Sequence, residues 1–302
     1  MAPACIECVV GKDTPETPGT KAASVVSGVG NGLALEAGGS INIFSLSRCG
    51  YLLQYFTVGM MTGGIPATQY GLFICYLNVP AYVAGAAATV ASLPWSFKVV
   101  FALLSDTVPI GGYRRRPYMV FGWAITAIFL IVLALLPLPA PYYCTKPDGT
   151  YDVTAVCNPD AQHSSATIII CMMFVAFGYI IADVAADALT VQYARREAMA
   201  ERGRTQTMAY LIRQWGSVAA ALLVGFGMNG PEYNGSFRAG ISFSAVCGIL
   251  AVPALAMVPA SWLLVEEEPV PGSAAAIARG LTRKMESASP LSGEGEAAPP
   301  QV

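Results

Sequence analysis

Four ionisable residues, Lys98, Asp183, Asp187 and Arg213, sit inside long apolar stretches of a 302-residue chain. Away from bulk water such groups do two kinds of chemistry. Carboxylates load and unload protons, and cations hold an anionic solute. At a helix centre in a bilayer each would cost about 2.5–3.5 kcal/mol on insertion scales, so each needs a partner or water. Spacing from the flanking charges sets their depth: Lys98 lies eight residues before Asp106, Asp187 eight before Arg195, and Arg213 nine after Arg204. At 1.5 Å rise per residue all three lie about 12–14 Å from the charged boundary. Asp183 stands one turn further along the face of Asp187, because residues i and i+4 stack on a helix. The spacing therefore predicts one layer of two positive and two negative groups. A substrate or proton pathway is one reading of that layer. A buried ion network that only locks helices together is the other, and intramembrane charge favours the first by default. The pairing to test is Asp187 with Arg213.

The elements that hold this layer must be apolar helices. The chain is 55% hydrophobic and 12% charged, with net charge −2 and mean hydropathy +0.54, so it has too few charges to coat a soluble fold. The same numbers exclude disorder for most of the chain, and no basic excess points to nucleic acid. Six apolar stretches run over about 50–73, 80–104, 117–138, 166–191, 207–228 and 240–265. Each approaches the roughly 20 residues a helix needs to cross about 30 Å of hydrocarbon. A β-barrel would show short alternating segments instead. The expected fold class is all-α: an integral multi-pass membrane protein whose partner is the lipid bilayer, with six transmembrane helices within residues 46–265.

Lys and Arg orient it. Arg114, Arg115 and Arg116 follow the second stretch, and Arg195, Arg196, Arg202 and Arg204 follow the fourth. Lys12, Lys21 and Arg48 precede the first stretch, Arg279, Arg283 and Lys284 follow the last, and the alternate loops hold only Lys146 and Arg238. The positive-inside rule then puts both termini in the cytosol. Residues 1–45 read as a flexible cytosolic arm, lacking the basic and apolar regions of a signal peptide. Residues 266–302 read as a disordered cytosolic tail, with a short amphipathic helix over 274–285.

Cys144 and Cys157 fall in the longest outer loop, where a disulfide between them is expected. Asn234-Gly235-Ser236 is an outer-side sequon, making Asn234 a candidate glycosylation site. Cys5 and Cys8 form a lone CxxC without the second pair a zinc site needs, so no metal and no cofactor is expected. The single histidine, His163, lies in an outer loop, and no nucleophile–base pair falls within the spans, so no catalytic residue is assigned.

A second feature closes the second stretch: Pro94-Trp95-Ser96-Phe97-Lys98, then Ser105-Asp106-Thr107-Val108-Pro109-Ile110-Gly111-Gly112-Tyr113-Arg114-Arg115-Arg116-Pro117-Tyr118. A positive-inside anchor explains the arginines but not the aspartate at the helix end or the glycine turn. These runs closely resemble the folate–biopterin transporter family of the major facilitator superfamily. Asp183-Val184-Ala185-Ala186-Asp187-Ala188-Leu189 resembles that family's fourth-helix motif, and Gln206-Thr207 with Arg213-Gln214-Trp215-Gly216 its fifth-helix pattern. Three motifs in order cover about residues 48–265.

The resemblance implies a major-facilitator N-terminal half bundle and proton-coupled transport, by alternating access, of a folate, a pterin or a related small metabolite, that is, a small anionic or pterin-like solute. Asp106, Arg114, Arg115 and Arg116 match the gating loop, and Lys98, Asp183, Asp187 and Arg213 lie at motif positions. Family members have about twelve spans, with substrate held between two halves. Six spans look like half of such a carrier, to be completed by a second half or a homodimer. The alternative is an inactive or scaffold half whose ion pairs are structural.

Overall fold

The computed structural model describes residues 49–146 and 151–288. The arm at 1–45, with Cys5, Cys8, Lys12 and Lys21, lies outside the described residues, as do Arg48 and residues 289–302.

Helices dominate. They are α1 (Cys49–Gln69), α2 (Ala81–Ser96), α3 (Lys98–Thr107), α4 (Arg116–Leu135), α5 (Ser165–Ala194), α6 (Arg204–Gly227), α7 (Phe243–Leu263) and α8 (Ala274–Ala288). Five stretches among the described residues are long and apolar enough to cross a membrane: Ala81–Thr107, Arg116–Leu135, Pro159–Ala194, Met199–Gly227 and Phe243–Leu263. The expected sixth, α1, is helical but falls short of that test. Gln54, three threonines and four glycines dilute its apolar residues. It continues as a π-helical turn, Tyr70–Tyr76.

The second apolar stretch is one span built from two helices. Pro94 has no N–H to give and interrupts the hydrogen-bond ladder. α2 ends at Ser96, Phe97 breaks the regular helix, and α3 starts at Lys98. Between α4 and α5 a small antiparallel hairpin, β1 (Tyr143–Thr145) and β2 (Tyr151–Val156), is the only sheet among the described residues. Cys144 and Cys157 are joined by a disulfide across it.

α5 is the central helix. Eighteen of its 30 residues are buried, and it touches α4, α2, α3, α1 and α6. Close approach elsewhere depends on glycine. A Cβ on Gly59 of α1 would stand 1.9 Å from the Arg213 carbonyl oxygen of α6, and one on Gly216 2.1 Å from the Phe56 carbonyl oxygen. Small residues let helix backbones meet where no hydrophobic effect drives them together. A buried polar hub ties four helices: Gln54 accepts from Trp123 Nε1 of α4 at 2.7 Å and Ser261 Oγ of α7 at 3.4 Å, and donates to the Ala182 carbonyl of α5 at 3.2 Å. It satisfies Gln54 within a largely apolar core.

Beyond α7 the chain departs from the disordered tail expected from Glu266. Glu267 is buried, Val270 N–H donates to the Gly112 carbonyl at 2.9 Å, and α8 forms over the stretch where the amphipathic helix is expected. The acidic run has a binding surface to settle on, namely the N-terminus of α4.

Candidate functional site

Both carboxylates come from α5, one turn apart on the face toward α3 and α6. Asp183 is 0% exposed, and Asp187 is 27% exposed. Lys98, first residue of α3 after the break at Phe97, puts Nζ 2.8 Å from Asp183 Oδ2 and 2.7 Å from Asp187 Oδ2. Arg213 of α6 donates from Nη1 to Asp183 Oδ1 at 3.2 Å. The expected layer of four charges therefore forms, with a different pairing. Arg213 joins Asp183 instead of Asp187, and the two oxygens of Asp187 have other partners. Lys98 holds its Oδ2, and Tyr55 of α1 donates to its Oδ1 at 2.8 Å.

The Trp95 ring lies beneath both cations, 5.0 Å from Lys98 Nζ and 5.5 Å from the Arg213 guanidinium carbon. A cation over an indole face gains electrostatically from the ring quadrupole. Behind Asp187 runs a chain of hydroxyls. The Tyr55 and Tyr51 hydroxyls each lie 2.7 Å from Thr190 Oγ1, one turn down α5. On the open side, a cleft of about 390 Å³ is lined by Asp187, Thr190, Arg202, Gln206 and Tyr210.

Tyr51, Tyr55, Trp95 and Thr190 are absent from the sequence-derived site. Tyr51 and Tyr55 are spaced i, i+4, and Thr190 is i+3 from Asp187, so each pair shares a helix face in the sequence. What the sequence does not carry is that α1 lays its tyrosine face on α5 at that level.

At the arginine-rich end, Asp106 forms an ion pair with Arg115, whose Nη1 also donates to Ser105 Oγ at 2.7 Å. Arg116 stacks over the Tyr113 ring. Glu267 holds the turn in place: its Oε1 accepts the N–H groups of Arg114 and Arg115 at 2.8 Å each, and its Oε2 that of Arg116 at 2.9 Å. A carboxylate on the free N–H groups of a helix N-terminus satisfies them and complements the dipole. Glu267 is a further functional-looking residue that spacing alone misses, since it arrives from about 150 residues away.

The remaining sites lie apart from these two. Asn234 is exposed after the short helical turn Pro231–Tyr233, and the Cys144–Cys157 bridge closes the hairpin loop. Among the described residues no group of three His, Cys, Asp or Glu gathers as a metal site.

A family model described as the BT1 family matches residues 54–142. The chain is 27% identical over 217 residues to the probable folate-biopterin transporter 4 of Arabidopsis thaliana, covering 72% of this chain and 37% of that protein. It is 26% identical over 214 residues to a folate-biopterin transporter of Synechocystis sp., covering 70% and 36%. Folate transporter 1 of Plasmodium falciparum matches at 25% over 135 residues, covering 44% and 22%. The aligned region thus spans little more than a third of the length of the first two relatives. No solved structure matches the chain.

Proposed function

With the folate–biopterin transporters as its relatives, we propose that this chain forms part of a carrier that moves a folate, a pterin or a related small anionic metabolite across a membrane. Transport runs by alternating access within a major-facilitator fold and is coupled to protons. The observation that carries the reading is the cluster of two carboxylates and two cations within an apolar bundle, open on one side. Lys98 and Arg213 supply positive charge for an anionic solute, and the aspartates compete with that solute for them. The Asp106–Arg115 pair, with Arg114 and Arg116 beside it, serves as the gate at the arginine-rich end, which faces the cytosol together with both termini.

The open side calls for a cover. Lys98, Asp187 and Arg213 are 29, 27 and 16% exposed on one flank. Ionisable groups within the membrane face protein or water rather than lipid. A second six-helix half or a second copy of this chain closes the cavity over them. The scaffold reading draws on Asp183, which is buried and doubly paired as a structural lock would be.

Uptake of labelled folate and biopterin into vesicles holding the purified chain separates the two. Uptake that Asp187→Asn and Arg213→Ala each abolish supports the carrier. Well-folded chain that takes up neither solute, alone or as a homodimer, sinks transport by this chain and leaves the scaffold.

A further inference from the structure

Asp183 and Asp187 look alike in sequence and share one lysine, yet their surroundings give them different tasks. Asp183 is sealed and faces two cations, Lys98 and Arg213, one on each oxygen. Asp187 has one cation, shared, and opens on the cleft lined by Thr190, Arg202, Gln206 and Tyr210. We propose that Asp187 is the carboxylate that exchanges protons, that the proton enters at Oδ2, and that Tyr55 is the positioning residue holding Oδ1 through the exchange. This deepens the proton-coupled reading above by dividing the work between the two aspartates.

The hydroxyl chain fixes its own polarity. A carboxylate only accepts, so the Tyr55 proton must point at Asp187 Oδ1. Tyr55 oxygen is then left to accept from Thr190, and Thr190 from Tyr51, each contact 2.7 Å long. Thr190 Oγ1 also lies 3.0 Å from the Ala186 carbonyl, but donating its one proton there would leave the Tyr55–Thr190 contact without a hydrogen. Tyr51, Tyr55 and Thr190 are all buried, and the Tyr55 proton is already committed to Oδ1, so this chain holds Asp187 instead of delivering a proton to Oδ2. Its effect is to pin Oδ1 as an acceptor whether Asp187 is ionised or neutral, leaving Oδ2 as the oxygen that changes.

The exchange balances simply. A hydronium or buffer acid in the cleft gives one proton to Asp187 Oδ2, and Lys98 withdraws from that oxygen while keeping Asp183 Oδ2, 2.8 Å away. The layer passes from net charge zero to +1, and one side of the Lys98 ammonium is released toward the cleft. An anion entering there restores neutrality, which links proton loading to anion binding. The charged and titratable groups around Asp187 are Lys98 from α3, Tyr55 and Tyr51 from α1, Asp183 on its own helix, Arg213 and Tyr210 from α6, and Arg195 and Arg202 around the cleft.

Infrared difference spectra between neutral and acidic pH, taken on the full chain in lipid nanodiscs, test the assignment. The spectrum should contain a protonated-carboxyl stretch that Asp187→Asn removes. Tyr55→Phe should keep that band but move it to higher frequency, because the carbonyl oxygen Oδ1 loses its hydrogen bond. A merely structural role for Tyr55 would leave the frequency where it is. The proposal is overturned by a spectrum that is the same in wild type and Asp187→Asn, or by a band that Tyr55→Phe does not move. Should Asp187→Asn fail to fold, the Tyr55→Phe shift decides alone. Loss of solute uptake with the band behaving as expected removes the carrier reading and leaves this one; pH-driven uptake with a band indifferent to both variants does the reverse.

Discussion

Glu197 illustrates how much one side chain settles in a loop without regular structure. It is 2% exposed, its Oε1 accepts from Thr205 N–H and its Oε2 from Gly203 N–H, each at 2.7 Å, and so it caps the first turn of α6. Burial pushes its pKa up, but the Thr205 hydroxyl and the amides of Thr205, Gly203 and Arg204 outweigh burial and hold it below the ordinary 4.5. A depressed carboxylate contributes stability that is present above the unfolded-state pKa and lost as pH falls through the folded one. Wild type should therefore exceed Glu197→Gln in apparent Tm by a constant margin above pH 4.5, and the margin should close on further acidification. Tryptophan fluorescence melts across a pH series measure it, and a margin indifferent to acid would refute the role. Gly59 makes the complementary case of a side chain that must be missing. Its absent Cβ would stand 1.9 Å from the Arg213 carbonyl, so Gly59→Ala must push α6 away and carry Arg213 off Asp183. Overpacking of this kind costs about 1–3 kcal/mol. The matched control is Gly85→Ala, whose Cβ meets nothing within 4 Å and should melt within a degree or so of wild type.

Elements carry the lesson about what a sequence can say. Helix positions follow from the gaps between charges, because a bilayer forces any crossing segment to be apolar for its whole length. That constraint is why α4 to α7 fall within a few residues of their expected bounds. It is silent on which helix faces touch, since lipid and protein interior are equally apolar. The one-layer depth of Lys98, Asp187 and Arg213 is thus legible, whereas Arg213 choosing Asp183, and Tyr55 reaching Asp187, depend on how α1 crosses α5 and α6. Glu267 belongs to the same class. An acidic run after the last span reads as solvated tail until α4 presents three unsatisfied N–H groups to it. Removing such a cap costs about 0.5–2 kcal/mol, so Glu267→Ala should lower the apparent Tm, and hydrogen exchange should speed up at Arg114 to Arg116 first. Uniform faster exchange across α4 and α7 would mean that Glu267 acts through overall packing, not as a cap.

At the scale of the whole molecule the question is what lies over the open flank. α6 is largely exposed, as a lipid-facing helix would be, yet its exposed residues include Gln206, Tyr210 and Gln214, each one turn from the next and on the side of Arg213. A lipid-facing helix would place Leu or Val along that stripe, as α6 does at Leu211, Val218 and Leu222. Polar groups facing hydrocarbon are costly and find water or protein instead. The stripe and the charged layer therefore mark one surface that is not meant for lipid. A cysteine at Gln214, as the one free thiol on a background with Cys5, Cys8, Cys49, Cys75, Cys171 and Cys247 replaced and the Cys144–Cys157 bridge kept, reads out which cover it has. In vesicles holding only the purified chain it should either cross-link to a second copy or react with a membrane-impermeant maleimide, because a second copy and water are then the two covers that the charges allow. Cysteine at Leu211 on the apolar side should do neither. A Gln214 cysteine that resists both reagents while the protein stays folded would put lipid over Lys98 and Arg213, and the layer would then have to be a closed structural lock.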